Sequence, residues 1–116
     1  MSGAFHSPLM AEAEAGLRDA LAAVTFRDPA FPVVSNVTAE PVSEVEAARA
    51  TLISQLTAPV RWTQSIQRIA GAGTRTFVEL GPGKVLTGLL RRIDRGLEGQ
   101  EIGTSRHVER FNEDFK

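Results

Sequence analysis

His6 and His107 are the only imidazoles in the chain, and no cysteine accompanies them. They stand at opposite ends of the sequence, a poor constellation for a metal ion, so no metal site is expected. The lack of cysteine rules out disulfides and thiolate ligands, which fits a reducing cytoplasm. His6 is followed directly by Ser7. Adjacency does not make a nucleophile–base pair, because such pairs are recognised by spatial geometry. Taken alone, a single histidine in a loop is more often structural or merely exposed.

Pro59 gives a sharper inference. A helix ending there would direct the Gln55 carbonyl at the N–H four residues on, and proline has none. The Gln55 carbonyl is thereby left free. It is a natural acceptor for an imidazole N–H and equally for a water. Gly81-Pro82-Gly83-Lys84 precedes a helical stretch and could cradle a phosphate on free amides. It lacks the spacing of a Walker A loop, and Pro82 removes one donor. A strand-to-helix turn is the plainer reading. Arg91, Arg92 and Arg95 cluster further on. They read as a solvated face favourable to a helix C-terminus, with a docking patch for an acidic partner as the alternative.

The elements that would position these groups follow from apolar spacing. Residues 9–25 carry Met10, Ala13, Leu17, Leu21 and Val24 at helical intervals. Asp28, Pro29 and Pro32 break that pattern, and residues 32–36 read as a short buried strand. Ser43 and Glu46 form a capping box for a second helix, striped by Val45, Ala48, Leu52 and Leu56 and stopped by Pro59. Trp62, Ile66 and Ile69 line a third helix that ends at Gly71 and Gly73. Thr76 to Leu80 reads as a second buried strand. Leu86, Leu89, Leu90 and Ile93 face a fourth helix, ended by Gly96. Glu101 to Thr104 suggests an edge strand, and Val108, Phe111 and Phe115 a closing helix. The strand–helix–helix–strand order predicts a parallel α/β layer with ligands beyond the strand ends. So few strands cannot cover so many helical stripes, so the chain reads as part of a larger domain.

The chain has 116 residues, 42% of them hydrophobic, and a formal net charge of -1. That balance offers no basic face for nucleic acid. The apolar runs are too short to span a bilayer, and the start, Met1-Ser2-Gly3, lacks the regions of a signal peptide.

Several stretches together resemble one family. Gly3-Ala4-Phe5-His6-Ser7-Pro8-Leu9-Met10 is similar to the histidine motif of malonyl-CoA:acyl carrier protein transacylases. Pro32-Val33-Val34-Ser35-Asn36-Val37 resembles the strand that follows it there. Gln55-Leu56 with Pro59-Val60-Arg61-Trp62 resembles a third segment, and Glu79-Leu80-Gly81-Pro82-Gly83-Lys84-Val85-Leu86 a fourth. Order and spacing agree from about Gly3 to Ile93, and the likeness is weak beyond Glu98.

The resemblance implies the C-terminal segment of an α/β-hydrolase-like acyltransferase domain, with few parallel strands packed by helices. Residues 1–116 would be an incomplete domain of roughly the last third of a family-length protein. The nucleophile-bearing part and a ferredoxin-like subdomain would lie upstream. The implied activity is ping-pong transfer of malonyl from malonyl-CoA to the phosphopantetheine thiol of acyl carrier protein, in fatty-acid biosynthesis. By resemblance, His6 is the general base for an upstream serine, and the Gln55 carbonyl orients its ring. No Gly-X-Ser-X-Gly elbow occurs in the chain, so alone it should be inactive. Phe5, before the histidine, goes with malonyl in related acyltransferases. No cofactor is implied. The implied partners are acyl carrier protein, malonyl-CoA and the missing N-terminal part, with neither nucleic acid nor membrane, in the cytoplasm. Two rival readings are a polyketide-synthase acyltransferase segment and a non-catalytic remnant or interaction module. The lack of linker composition up to Lys116 weighs against the first.

Overall fold

The computed structural model describes residues 4–115, so Met1, Ser2, Gly3 at the head of the histidine motif, and the end at Lys116 lie outside the described residues. The chain divides into two compact units, Met1–Arg68 and Ile69–Lys116.

In the first unit, a 3-10 segment, Pro8–Ala13, leads into helix α1, Glu14–Ala23. The single helix expected over 9–25 is thus split. Pro8 occupies the first turn, where its missing N–H and fixed φ cost nothing. Strand β1 is only Val33–Val34, and it pairs antiparallel with β2, Pro41–Val42. The joining turn closes through Ala39 N–H to the Ser35 carbonyl at 2.8 Å and Ser35 N–H to the Glu40 carbonyl at 3.0 Å. The expected buried strand over 32–36 is corrected on two counts. Val33 is exposed, and the ladder partner is a hairpin neighbour. A two-residue strand beginning with proline carries no periodic signal, which is why β2 was not legible.

Helix α2 runs Val45–Gln55 with Glu44 at its N-cap. The expected Ser43–Glu46 capping box does not form. Instead Asp28 Oδ1, 17 residues upstream, accepts from the Val45 N–H at 2.9 Å. A carboxylate at a helix N-terminus serves the free amides and the macrodipole together, so it displaces a neutral serine. Helix α3, Trp62–Gly71, begins in this unit. Its end has the Schellman pattern: Gly73 N–H reaches the Ala70 carbonyl at 3.0 Å and Thr74 N–H the Ile69 carbonyl at 3.4 Å. Gly73 takes φ 109, where glycine carries no Cβ penalty.

The second unit contains β3, Thr76–Leu80, helix α4, Val85–Ile93, β4, Glu98–Ile102, and helix α5, Ser105–Asp114. β3 and β4 pair in parallel, from Thr76 opposite Glu98 to Leu80 opposite Ile102. The parallel pairing expected between the strands flanking the two-helix crossover is not the one in the structure: β1 has its ladder in the hairpin, and the parallel pair is β3 with β4, across α4. The edge strand starts earlier than the expected 101–104, and α4 stops before Gly96. Gly81 and Gly83 take φ 125 and 86, so the turn between β3 and α4 depends on their lacking a Cβ.

β3 is not the buried strand expected. Phe77 and Glu79 are half-buried, but Val78 and Leu80 on its other face are exposed, Leu80 at 78%. In the first unit Phe31 is 72% exposed. Buried apolar side chains are few: Ala39, Val42, Ile53 and Ile66 in one unit, Leu90 and Leu97 in the other. Among the described residues no large side chain is fully buried. The half-finished core agrees with the surplus of helical stripes over strands.

Candidate functional site

His6 sits in the short stretch before the 3-10 segment, half-buried, with φ 59. This left-handed region is sparsely used by non-glycine residues and costs of order 1–3 kcal/mol unless the surroundings hold it. Two local bonds shape the bend. Ser7 Oγ donates to the Ala4 carbonyl at 2.5 Å, and Met10 N–H donates to the Ser7 carbonyl at 3.0 Å. The Ser7 hydroxyl is committed to backbone, so the His6-Ser7 adjacency makes no nucleophile–base pair.

The ring is held from far along the chain. His6 Nδ1 lies 2.9 Å from the Gln55 carbonyl oxygen, 49 residues on. A carbonyl only accepts, so Nδ1 carries the proton and donates. Nε2 is then the nitrogen with the free lone pair, the one able to take a proton from a substrate or a hydroxyl. Gln55 is the last residue of α2, and Pro59 supplies no N–H to its carbonyl. The two residues singled out in sequence are therefore brought together.

A hollow of about 220 Å³ opens beside the ring, lined by Phe5, His6, Leu17, Leu52, Gln55 and Leu56. A second, mostly apolar hollow of about 300 Å³ shares Leu52 and Gln55 with it and extends to Phe26, Val33 and Val42. Apolar walls around one oriented imidazole make a site suited to proton transfer.

The Gly81–Lys84 turn has another fate. Glu79 of β3 reaches the start of α4, accepting from Thr87 N–H at 2.9 Å, Leu86 N–H at 3.1 Å and Thr87 Oγ1 at 2.8 Å. Two amides in the first turn of α4, those of Leu86 and Thr87, are thus taken by the chain's own carboxylate. The Thr87 amide chiefly, then its hydroxyl and the Leu86 amide, hold the Glu79 carboxyl below the usual glutamate range against a contrary push from desolvation. A depressed folded pKa gives stability that is present above the unfolded carboxylate pKa and lost as pH falls through the folded value. Replacing Glu79 with glutamine should lower the melting temperature of the chain at pH about 7. The gap should narrow as pH falls through the depressed folded value and close once the parent carboxyl is protonated as well. Equal melting temperatures at neutral pH would contradict this capping role.

Arg91, Arg92 and Arg95 border an open hollow of about 1000 Å³ at the end of α4, with Leu97 and Glu98. Their place in the last turn and just beyond it fits the macrodipole reading. His107 lies in the first turn of α5, where its N–H donates to Thr104 Oγ1 at 3.2 Å and its Nδ1 accepts from the Gly103 N–H at 3.1 Å. It serves the β4–α5 junction. Among the described residues no cluster of histidine and carboxylates could hold a metal ion, and no helix is long and apolar enough to cross a membrane. The capping roles of Asp28 and Glu79 were not legible in sequence. Each acts on backbone groups whose nearness depends on the fold, and neither carries a local signal.

No family model matches the chain. A malonyl CoA-acyl carrier protein transacylase of Bacillus subtilis is 39% identical over 94% of this chain and 34% of its own length. The chain thus spans about a third of the length of the curated relatives it matches. An acyl-carrier-protein-S-malonyltransferase of Bartonella henselae, solved by crystallography, superposes with a TM-score of 0.91 at 37% identity, covering 98% of this chain and 36% of that one. A malonyl-transacylase solved in complex with a type II polyketide acyl-carrier protein gives 0.89 at 36% identity, over 95% and 36%. The chain has the fold of the matching third of these enzymes, a partial α/β acyltransferase domain. The likeness reaches past Ile93, where the sequence motifs faded.

Proposed function

We propose that this chain, similar over nearly its whole length to the C-terminal part of malonyl-CoA:acyl carrier protein transacylases, supplies the general base for malonyl transfer to acyl carrier protein in fatty-acid biosynthesis. The observation that carries the reading is the 2.9 Å contact between His6 Nδ1 and the Gln55 carbonyl, which leaves Nε2 as the base.

The chemistry then runs in two halves. His6 Nε2 takes the proton of an upstream serine as its oxygen attacks the malonyl thioester. The proton passes to the departing coenzyme A sulfur, leaving a malonyl ester on the serine. In the second half Nε2 takes the proton of the phosphopantetheine thiol, whose sulfur attacks the ester. The proton returns to the serine oxygen. In each half the Gln55 carbonyl accepts from Nδ1–H and steadies the imidazolium, the role an aspartate plays in other triads. No resident cofactor or metal is required. Malonyl-CoA and the carrier protein are the partners, the upstream part of the enzyme completes the site, and the cytoplasm is the compartment.

Phe5 lines the hollow beside His6 and is 62% exposed. A bulky ring there leaves less room for a methyl branch. In the enzyme completed with its upstream part, malonyl-CoA should be used in preference to methylmalonyl-CoA by about 10- to 200-fold. Phe5→Ser should narrow that ratio. Failure of the completed enzyme to load carrier protein from malonyl-CoA would refute the function. Equal use of the two thioesters would refute malonyl as the acyl group.

A further inference from the structure

Segment 6–28 is laced to helix α2 at three heights. At the bottom, His6 Nδ1 donates to the Gln55 carbonyl at the C-terminus of α2. At the top, Asp28 caps the N-terminus of α2 through Val45 N–H at 2.9 Å. Between them stands Arg49, on α2, one and a half turns or so before Gln55. Its guanidinium donates from Nη1 to the Leu21 carbonyl in the last turn of α1. The same guanidinium lies over the Phe26 ring, 4.7 Å from the centroid. Arg49 and Phe26 are both half-buried, so solvent screens this latch less than a surface pair.

The arrangement matters because His6 is held in an unfavourable backbone conformation. Its φ of 59 relaxes unless something fixes the distance between the His6 bend and the end of α2. α1 and α2 touch directly and α1 follows His6 after only the 3-10 segment. A tie at the far end of α1 therefore sets the tilt of α1 on α2, and with it the reach of His6 to Gln55. The Leu21 carbonyl is a fitting anchor. It lies in the last turn of its helix, where the negative end of the dipole favours a cation.

We infer that Arg49 is a positioning residue for the His6–Gln55 pair, acting through the Leu21 carbonyl and the Phe26 ring and not by touching substrate. The inference rests on the reading of His6 as the base only for its kinetic consequence. Its structural content is independent of that reading.

The test has two arms. In the first, the full chain labelled with nitrogen-15 in histidine is examined by NMR. The parent should show His6 as the Nδ1–H tautomer with a slowly exchanging proton. Arg49→Met should speed exchange of that proton by roughly tenfold or mix the tautomers at a temperature well below melting, as loss of a charged hydrogen bond and a cation–π contact would predict. If Arg49→Met does not fold, Phe26→Leu, which keeps the charge and removes the ring, carries the arm with a smaller acceleration expected. A folded variant with parent-like tautomer and exchange overturns the inference, whatever the enzyme does. In the second arm, the enzyme completed with its upstream part is assayed. Arg49→Met should lower kcat for serine acylation by roughly tenfold with KM for malonyl-CoA nearly unchanged, since displacement of a reacting group by a fraction of an ångström has effects of that order. A change in KM alone, or in melting temperature alone, overturns the positioning role. If His6→Ala leaves acylation intact while the first arm holds, the functional reading fails and the latch does not.

Discussion

His6→Ala in the enzyme completed with its upstream part should slow serine acylation by roughly 10²- to 10⁴-fold, the usual worth of general-base assistance. The loss should fall on kcat, because the imidazole acts as the bond to serine forms. The melting temperature should stay near that of the parent. His6 is only half-buried, belongs to no apolar stripe, and forfeits one hydrogen bond whose acceptor can turn to water. Gln55→Ala should matter far less. The group that holds the ring is the backbone carbonyl, which survives the change. Acylation rates and melting curves for the two variants, measured side by side, decide the matter. A parent-like rate in His6→Ala, or loss of acylation only in Gln55→Ala, would show that the base lies elsewhere.

The chain by itself should transfer no malonyl group to carrier protein above the buffer blank. A general base accelerates nothing without a hydroxyl to deprotonate. The nearest hydroxyl in sequence, Ser7 Oγ, donates to the Ala4 carbonyl and is turned to backbone. The other residues lining the hollow at His6, namely Phe5, Leu17, Leu52, Gln55 and Leu56, carry no hydroxyl. Adding the upstream part of the enzyme should restore transfer. Turnover by the chain alone, abolished by Ser7→Ala, would mean that the site is self-sufficient and the reading of a divided site wrong.

Much of this was legible before any coordinates. Pro59 announces that the Gln55 carbonyl has no helical partner, because proline lacks the donor whatever the fold does. Gly81-Pro82-Gly83 announces a turn, and Gly73 a helix end, because only glycine takes those φ values without strain. The histidine motif and the three segments after it pointed to the family whose solved members superpose on the chain. The helix over 62–71 followed from the stripe of Trp62, Ile66 and Ile69 and the glycines Gly71 and Gly73 at its end.

What the sequence left open is of one kind. It shows which backbone groups lack a local partner, but the group that fills each vacancy comes from elsewhere in the fold. The freed Gln55 carbonyl suited a water as well as an imidazole, and packing of α1 on α2 gave it to His6. The first amide of α2 had a capping box written beside it, and Asp28 took the place because a charged acceptor binds a helix N-terminus more strongly than a hydroxyl. The turn before α4 read as a plain strand-to-helix turn with an anion cradle as the alternative, and Glu79 of β3 took the Leu86 and Thr87 amides. β1 found its ladder partner in a two-residue hairpin neighbour, whose short loop costs little closure entropy and leaves no periodic signal in the sequence. Local chemistry determines the demand for partners. Only the tertiary structure, which sets distances between residues far apart in sequence, determines the supply.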